Sequence, residues 1–292
     1  MLGRITREAE KLTINGTGIE GVQSLSASYN SVAKPVVNLG INPESLGYGN
    51  TAFQYYPEGP QEANLQLNTL MTHFLPIPDD FSNWSSRDPM QNFTGALPFS
   101  GIVDHGDKKF YFTEGYLETY SAACSIGEIP QSSTSSVIYG NFGTGAKFDS
   151  WSEYDAGATY PSLHVASYGS MEINLDTFTT NRVNSFNVNI ATPRLPFYKI
   201  GLDEPDGVIA GTPIEVNVNF QIEPDDYEIK NMRLSPGETV FKNTIITLKE
   251  NNTHNILLRY SFENMLLTSE SFNGTSSSNA TIDFNLRSFI LR

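Results

Sequence analysis

The strongest constraint on this chain is two-residue alternation of apolar and polar side chains, which appears in five well-separated segments. They are Gln23 to Tyr29, Ala63 to Thr69, Phe186 to Ile190, Ile214 to Ile222 and Thr281 to Leu286. Successive side chains of a strand point to opposite faces, so each segment reads as a strand with one buried and one polar face. Sixteen prolines and 23 glycines punctuate the runs. Only residues 4–12 carry a helical hint, and Asn231 to Leu234 could add no more than a turn. The expected fold is all-β and antiparallel.

The alternation is written twice. Val22 to Gly40 aligns without a gap on Val183 to Gly201, with Val22/Val183, Ser24/Ser185, Pro35/Pro196 and Gly40/Gly201 identical. Glu62 to Asn68 then matches Glu215 to Gln221, and Ser132 to Tyr139 parallels Ser276 to Asp283. Three matches in one order predict two tandem, similar β-sandwich or β-barrel domains. The expected division is an N-terminal arm at 1–14, a first domain at 15–142, a linker at 143–166 and a second domain at 167–292. The first domain carries an aromatic, proline-rich loop insertion at about 74–98, containing Trp84 and Phe93.

The polar faces of the paired strands hold short neutral groups. One face presents Ser24, Ser26 and Ser28, and its partner Glu62, Asn64 and Gln66. The second copy presents Ser185, Asn187 and Asn189 beside Glu215, Asn217 and Asn219. These strands contain no Lys or Arg, where the chain's average composition would place about two. Such a face suits either a water-facing sheet or the wall of a passage. It offers phosphates no ion pairs, so a polyanion can pass without being held.

Composition agrees with that reading. Lys and Arg number 18 against 32 Asp and Glu, a net charge of -14, which argues against a nucleic-acid clamp. A 12% aromatic share argues against general disorder. The first eleven residues are charged where a secretory signal would be apolar, and no run of about 18 apolar residues exists to span a membrane as a helix. The chain is expected to be made in the cytoplasm, and its six Asn-x-Ser/Thr sequons are expected to be chance matches.

Chemistry is sparse. His73, His105, His164 and His254 lack metal-ligand spacing, and Cys124 has no partner cysteine. Asp203 to Gly207, Pro78 to Asp80 and Pro224 to Asp226 do not fit a calcium loop. No catalytic residue, metal or cofactor is expected.

Gly21 to Tyr29, the Pro35 to Gly40 segment ending in Leu39-Gly40, the second strand at Glu62 to Leu70 and the later Gly115 to Ser121 together resemble bacteriophage tail tube proteins. The likeness covers most of 20–142 and, through the repeat, 183–292. It departs from a simple tube protein in carrying two such domains. The resemblance implies a virion subunit, assembled in the host cytoplasm, whose inner sheets join into stacked rings around a channel for the genome. Six domains per ring could come from three chains, or from six chains using one domain each at the bore. Its implied partners are itself and other tail proteins, with DNA as passing cargo and no membrane. A trimeric hub or adaptor at the tail end is the alternative within this class. A carbohydrate-binding or glycan-degrading β protein is the alternative outside it.

Overall fold

The computed structural model describes residues 10–14, 17–19, 21–30, 33–37, 53–57, 62–71, 98–105, 109–144, 166–176, 178–200, 204–224, 239–250, 256–275 and 278–290. Every regular element among them is a strand. The first half contains β1 (Glu10–Ile14), β2 (Thr17–Ile19), β3 (Val22–Asn30), β4 (Ala33–Val37), β5 (Phe53–Pro57), β6 (Glu62–Leu70), β7 (Phe99–His105), β8 (Lys109–Ser125) and β9 (Gln131–Ile138), closed by the two-residue β10 (Phe142–Gly143). The second contains β11 (Ala166–Leu175), β12 (Phe178–Thr180), β13 (Val183–Ala191), β14 (Arg194–Phe197), β15 (Gly207–Ala210), β16 (Ile214–Ile222), β17 (Phe241–Glu250), β18 (Ile256–Thr275) and β19 (Ser278–Ile290).

One long strand organises each half. The 17-residue β8 pairs through its first part with β7, which continues to β1 and β2. Its later part pairs with β9, which continues to β6 and β3. A strand can serve two packed sheets if it turns a corner at a bulge. Here the corner falls at Glu114, whose φ is 50°, and at the register shift between Leu117 and Thr119. The two sheets enclose Leu12, Ile14, Leu65, Leu67, Phe99 and Phe112. The 20-residue β18 does the same in the second half, with Asn264 at φ 52° and a shift between Leu267 and Ser269.

The correspondence extends to every described strand except β10. The order β3-β6-β9-β8 recurs as β13-β16-β19-β18, β7-β1-β2 recurs as β17-β11-β12, and the separate hairpin β4-β5 recurs as β14-β15. Register agrees as well. Leu25 faces Leu67 where Phe186 faces Phe220, and each first strand shifts register at the same place, after Val22 and after Val183. Two of the three sequence matches therefore occupy equivalent positions. The third is displaced by six residues. Ser132 faces Thr69 while Ile282 faces Ile222, so Gln131–Ile138 corresponds to Thr281–Ser288. The misreading arose because Ser132, Thr134 and Ser136 are buried hydroxyls that imitate an exposed face. Ser132 and Thr69 satisfy each other across the strands at 2.8 Å.

Other expectations need correction. Glu10–Ile14, assigned to an arm and hinting at a helix, is a strand held between β2 and β7, with Leu12 and Ile14 in the core. Two apolar residues two apart, offered central pairing and burial, override the local helical pattern. Residues 1–9 lie outside the described residues, as do 145–165 of the expected linker, Asn231 to Leu234, and all of the expected 74–98 insertion except Pro98.

The halves are not beads on a linker. β13 pairs with β8 over seven residues, Ser185 to Ala191 against Ser125 to Thr119. Across this seam Phe186, Val188 and Ile190 sit beside Cys124, Ala122 and Tyr120, all buried in one core with the second half. At its centre the hydroxyls of Tyr120 and Tyr260 hydrogen-bond each other, and burial raises both phenols above their ordinary pKa. Tyr120→Phe deprives the buried Tyr260 hydroxyl of this partner and is expected to cost about 1–3 kcal/mol. Adding Tyr260→Phe should recover part of that loss. Urea unfolding of the two variants checks this.

Candidate functional site

Directly opposed residues in antiparallel strands share a face. Following the pairings across the sheet gives one row Ser24, Asn68, Ser133, Ser121, Asn189, Asn217, Arg287. A second row runs Gln131, Ala123, Asn187, Asn219, Asn285, Ser269. A third runs Ser26, Gln66, Ser135, Thr119, Ala191, Glu215, Phe289. A single face thus crosses eight strands and both halves, β3-β6-β9-β8-β13-β16-β19-β18.

All twelve residues expected on that face lie on it. Ser24, Ser26, Ser28, Glu62, Asn64, Gln66, Asn189 and Asn219 are exposed, and Ser185, Asn187, Glu215 and Asn217 are half-buried. What sequence reasoning missed is the rest of the wall, contributed by β8, β9, β18 and β19. The alternating hydroxyls and amides of Gln131 to Ser135 and Ser269 to Asn273 were the available signal.

The face is held by its own polar groups. Asn68 donates to Ser24 Oγ at 2.7 Å, Gln221 donates to Asp283 Oδ1 at 2.6 Å, and Asn273 donates to Asp283 Oδ2 at 2.6 Å. Asn285 donates to Ser269 Oγ. Among the described residues sharing these rows there is one cation, Arg287, and no lysine. Arg287 is committed: its guanidinium is 2.9 Å from Glu215 Oε1 and 4.5 Å from the Phe289 ring centre. The wall therefore presents amides and hydroxyls with acidic groups that are largely partnered.

One end of the first-half face is covered. The β14-β15 hairpin lies over it, with Val208 packed against Tyr116, Val137 and Tyr139. Arg194 Nε donates to the Leu117 carbonyl at 2.6 Å, Tyr198 is hydrogen-bonded to Glu62, and Asn141 donates to Glu204 at 3.5 Å. A hairpin of the second half is thus laid on the sheet of the first.

The cover brings two carboxylates together. Burial, then the Glu204 charge, raises the Glu114 carboxyl above its ordinary value. A raised acid in the folded state stabilises least when ionised, so its penalty is absent below the unfolded pKa and complete above the folded one. Glu114→Gln is expected to raise the melting temperature at pH 7 by a small increment, worth less than about 1 kcal/mol at a half-buried site still screened by solvent. The same change should have no effect near pH 3. Melting curves at the two pH values check the difference.

Among the described residues, Cys124 and Asp206 sit in unreactive settings. The Cys124 thiol is buried and pushed up to about 11 by burial and then by Glu128, the opposite of a reactive thiolate. Asp206 is taken by Lys199 at 2.6 Å. Among the described residues no group of His, Cys, Asp and Glu is arranged to hold a metal, and no helix is long and apolar enough to cross a membrane. His73, His164 and His254, and the acidic segments Pro78 to Asp80 and Asp225-Asp226, lie outside the described residues.

Comparison with protein-family models and with curated protein sequences finds no match.

Proposed function

We propose that this chain is a structural subunit of a bacteriophage tail tube, built from a duplicated domain and assembling into stacked rings that form the channel for genome ejection. The observation that carries this reading is the eight-strand face, uncharged over most of its area and continuous across both halves. A wall lining a DNA channel should wet readily and bind no phosphate. Amides and hydroxyls meet the first demand. The second is met by a face without lysine, whose one arginine is tied to Glu215.

The matched order and register of the two halves support duplication. The pairing of β8 with β13 inside the chain supports a ring in which successive domains join in the same way. Closing such a sheet around a ring removes its open edges. The reading assigns no catalysis, cofactor or metal to the chain.

Negative-stain electron microscopy of concentrated protein, together with its copy number in purified virions, tests the proposal. Hollow rings or rods, and dozens of copies per virion, are expected. A few copies would place the chain at a hub or adaptor instead. Absence from virions and a monomeric state at all concentrations would overturn the proposal.

A further inference from the structure

The internal seam between β8 and β13 is half of a repeating contact whose other half is left open. Among the described residues β3, the counterpart of β13, pairs with β6 alone. β18, the counterpart of β8, pairs with β19 from Leu266 to Thr275, but its pairing with β17 ends at Leu266. Among the described residues the later part of β18 therefore has one unpaired edge, the edge that β8 offers to β13. Several positions buried at the internal seam have exposed counterparts at these two edges. Tyr29, in the place of Ile190, is 66% exposed, and Phe272, in the place of Ala122, is 44% exposed. Neither strand contains the lysine or proline that commonly guards an open edge, and no described element covers either edge.

We infer that β3 of one chain pairs with Ser269–Thr275 of a second copy of this chain, in the register of the internal seam. Transferring that register sets Ser24 opposite Thr275, Ser26 opposite Asn273, Ser28 opposite Ser271 and Asn30 opposite Ser269. These pairs carry the uncharged face across the junction without interruption. On the other face Ala27 meets Phe272, and Tyr29 comes opposite Glu270, whose Oε1 is buried and lacks a hydrogen-bond partner within the chain. A phenol brought beside that oxygen supplies a donor.

A second contact follows from the same correspondence. The β14-β15 hairpin covers Tyr116, Val137 and Tyr139 of the neighbouring half. The equivalent positions in the second half are Leu266, Arg287 and Phe289, and Phe289 is 49% exposed. The β4-β5 hairpin of the incoming copy is the element in the right place to cover them. Such a contact is head-to-tail, so it closes into a ring only at a fixed number of copies. With six domains to a ring that number is three. The resulting circle of 24 strands would be roughly 45–50 Å across its backbone, given a spacing of about 4.8 Å and a tilt of about 40°.

This inference rests on the reading of the chain as a ring-forming subunit and specifies which strands meet. The test is a pair of double variants in the full chain, oxidised after assembly and run on a non-reducing gel, with the same samples viewed by electron microscopy. Ser28→Cys with Ser271→Cys places thiols on directly opposed, exposed positions. Ser24→Cys with Ser269→Cys places them six residues out of register, about 20 Å apart and beyond disulfide reach. The in-register pair is expected to give at least ten-fold more intermolecular disulfide, in a ladder ending at three chains. Rings without that preference would overturn the strand pairing while leaving the ring-forming reading intact. Absence of both rings and cross-links would overturn both.

Discussion

Placing an aspartate at Val188 is expected to unfold the second half and release it from the first. Val188 has no exposed surface and stands in the middle of the sheet, between Ala122 of β8 and Val218 of β16. Among the described residues no buried Lys or Arg is present to pair with a carboxylate there, and its neighbours include the apolar cluster and the Tyr120–Tyr260 pair. Burying such a charge unpaired is among the few mechanisms that exceed about 4–5 kcal/mol for one substitution. That is a large part of the roughly 5–15 kcal/mol by which domains are stable. Val188→Ala removes only two methyl groups and should cost about 2–3 kcal/mol, from lost transfer energy and the small cavity. Urea denaturation followed by circular dichroism separates the two. An aspartate variant within about 1 kcal/mol of the parent would mean that the seam is not a closed core.

The second large effect is expected at Gly101. A Cβ built there meets the Phe112 ring, and it lies 2.7 Å from the Thr13 carbonyl oxygen. A ring can sometimes turn aside, but Thr13 belongs to β1, which is held on one edge by β2 and on the other by β7. Relieving the contact requires moving a paired central strand. Gly101→Ala should therefore destabilise the first half by about 3 kcal/mol, the upper end of the range for overpacked cores. Gly207→Ala is the control: nothing lies within 4 Å of the added carbon, so its effect should stay within about 0.5 kcal/mol. Thermal melts of both variants give the comparison.

The five alternating segments of the sequence all fall within observed strands; four of them bury the apolar face, while in β3 Ala27 and Tyr29 of that face remain exposed. The neutral character of the polar face was legible residue by residue at β3, β6, β13 and β16. Its extent was not. Gln131 to Ser136 carries polar residues on both faces, since Ser132, Thr134 and Ser136 are buried opposite Ser133 and Ser135, so binary patterning loses its phase there. The corner in β8 was also hidden. A non-glycine residue at positive φ, Glu114, and a bulge three residues later turn one continuous run of 17 residues into parts of two sheets. Neither leaves a mark in composition. β1 was misassigned because its two core residues, Leu12 and Ile14, are too few to outvote the charged residues before them.

The seam was not foreseen because strand pairing between distant segments depends on edges, and edges are a property of the assembled sheet. Phe186, Val188 and Ile190 read simply as a buried face. Only the fold reveals that the neighbour on one side is β8 of the other half. The same holds for the Tyr120–Tyr260 contact, which joins residues 140 apart in the chain.

In the proposed tube the predominantly neutral face of this sheet is the inner wall of a closed assembly. A three-dimensional reconstruction of assembled particles, at a resolution that traces strands, tests it most directly. Three chains per ring are expected, with Ser26, Gln66, Asn189 and Asn219 lining the bore and β3 hydrogen-bonded to β18 of the adjacent chain. A bore lined by the opposite surface, or a ring in which that polar face turns outward, would contradict it.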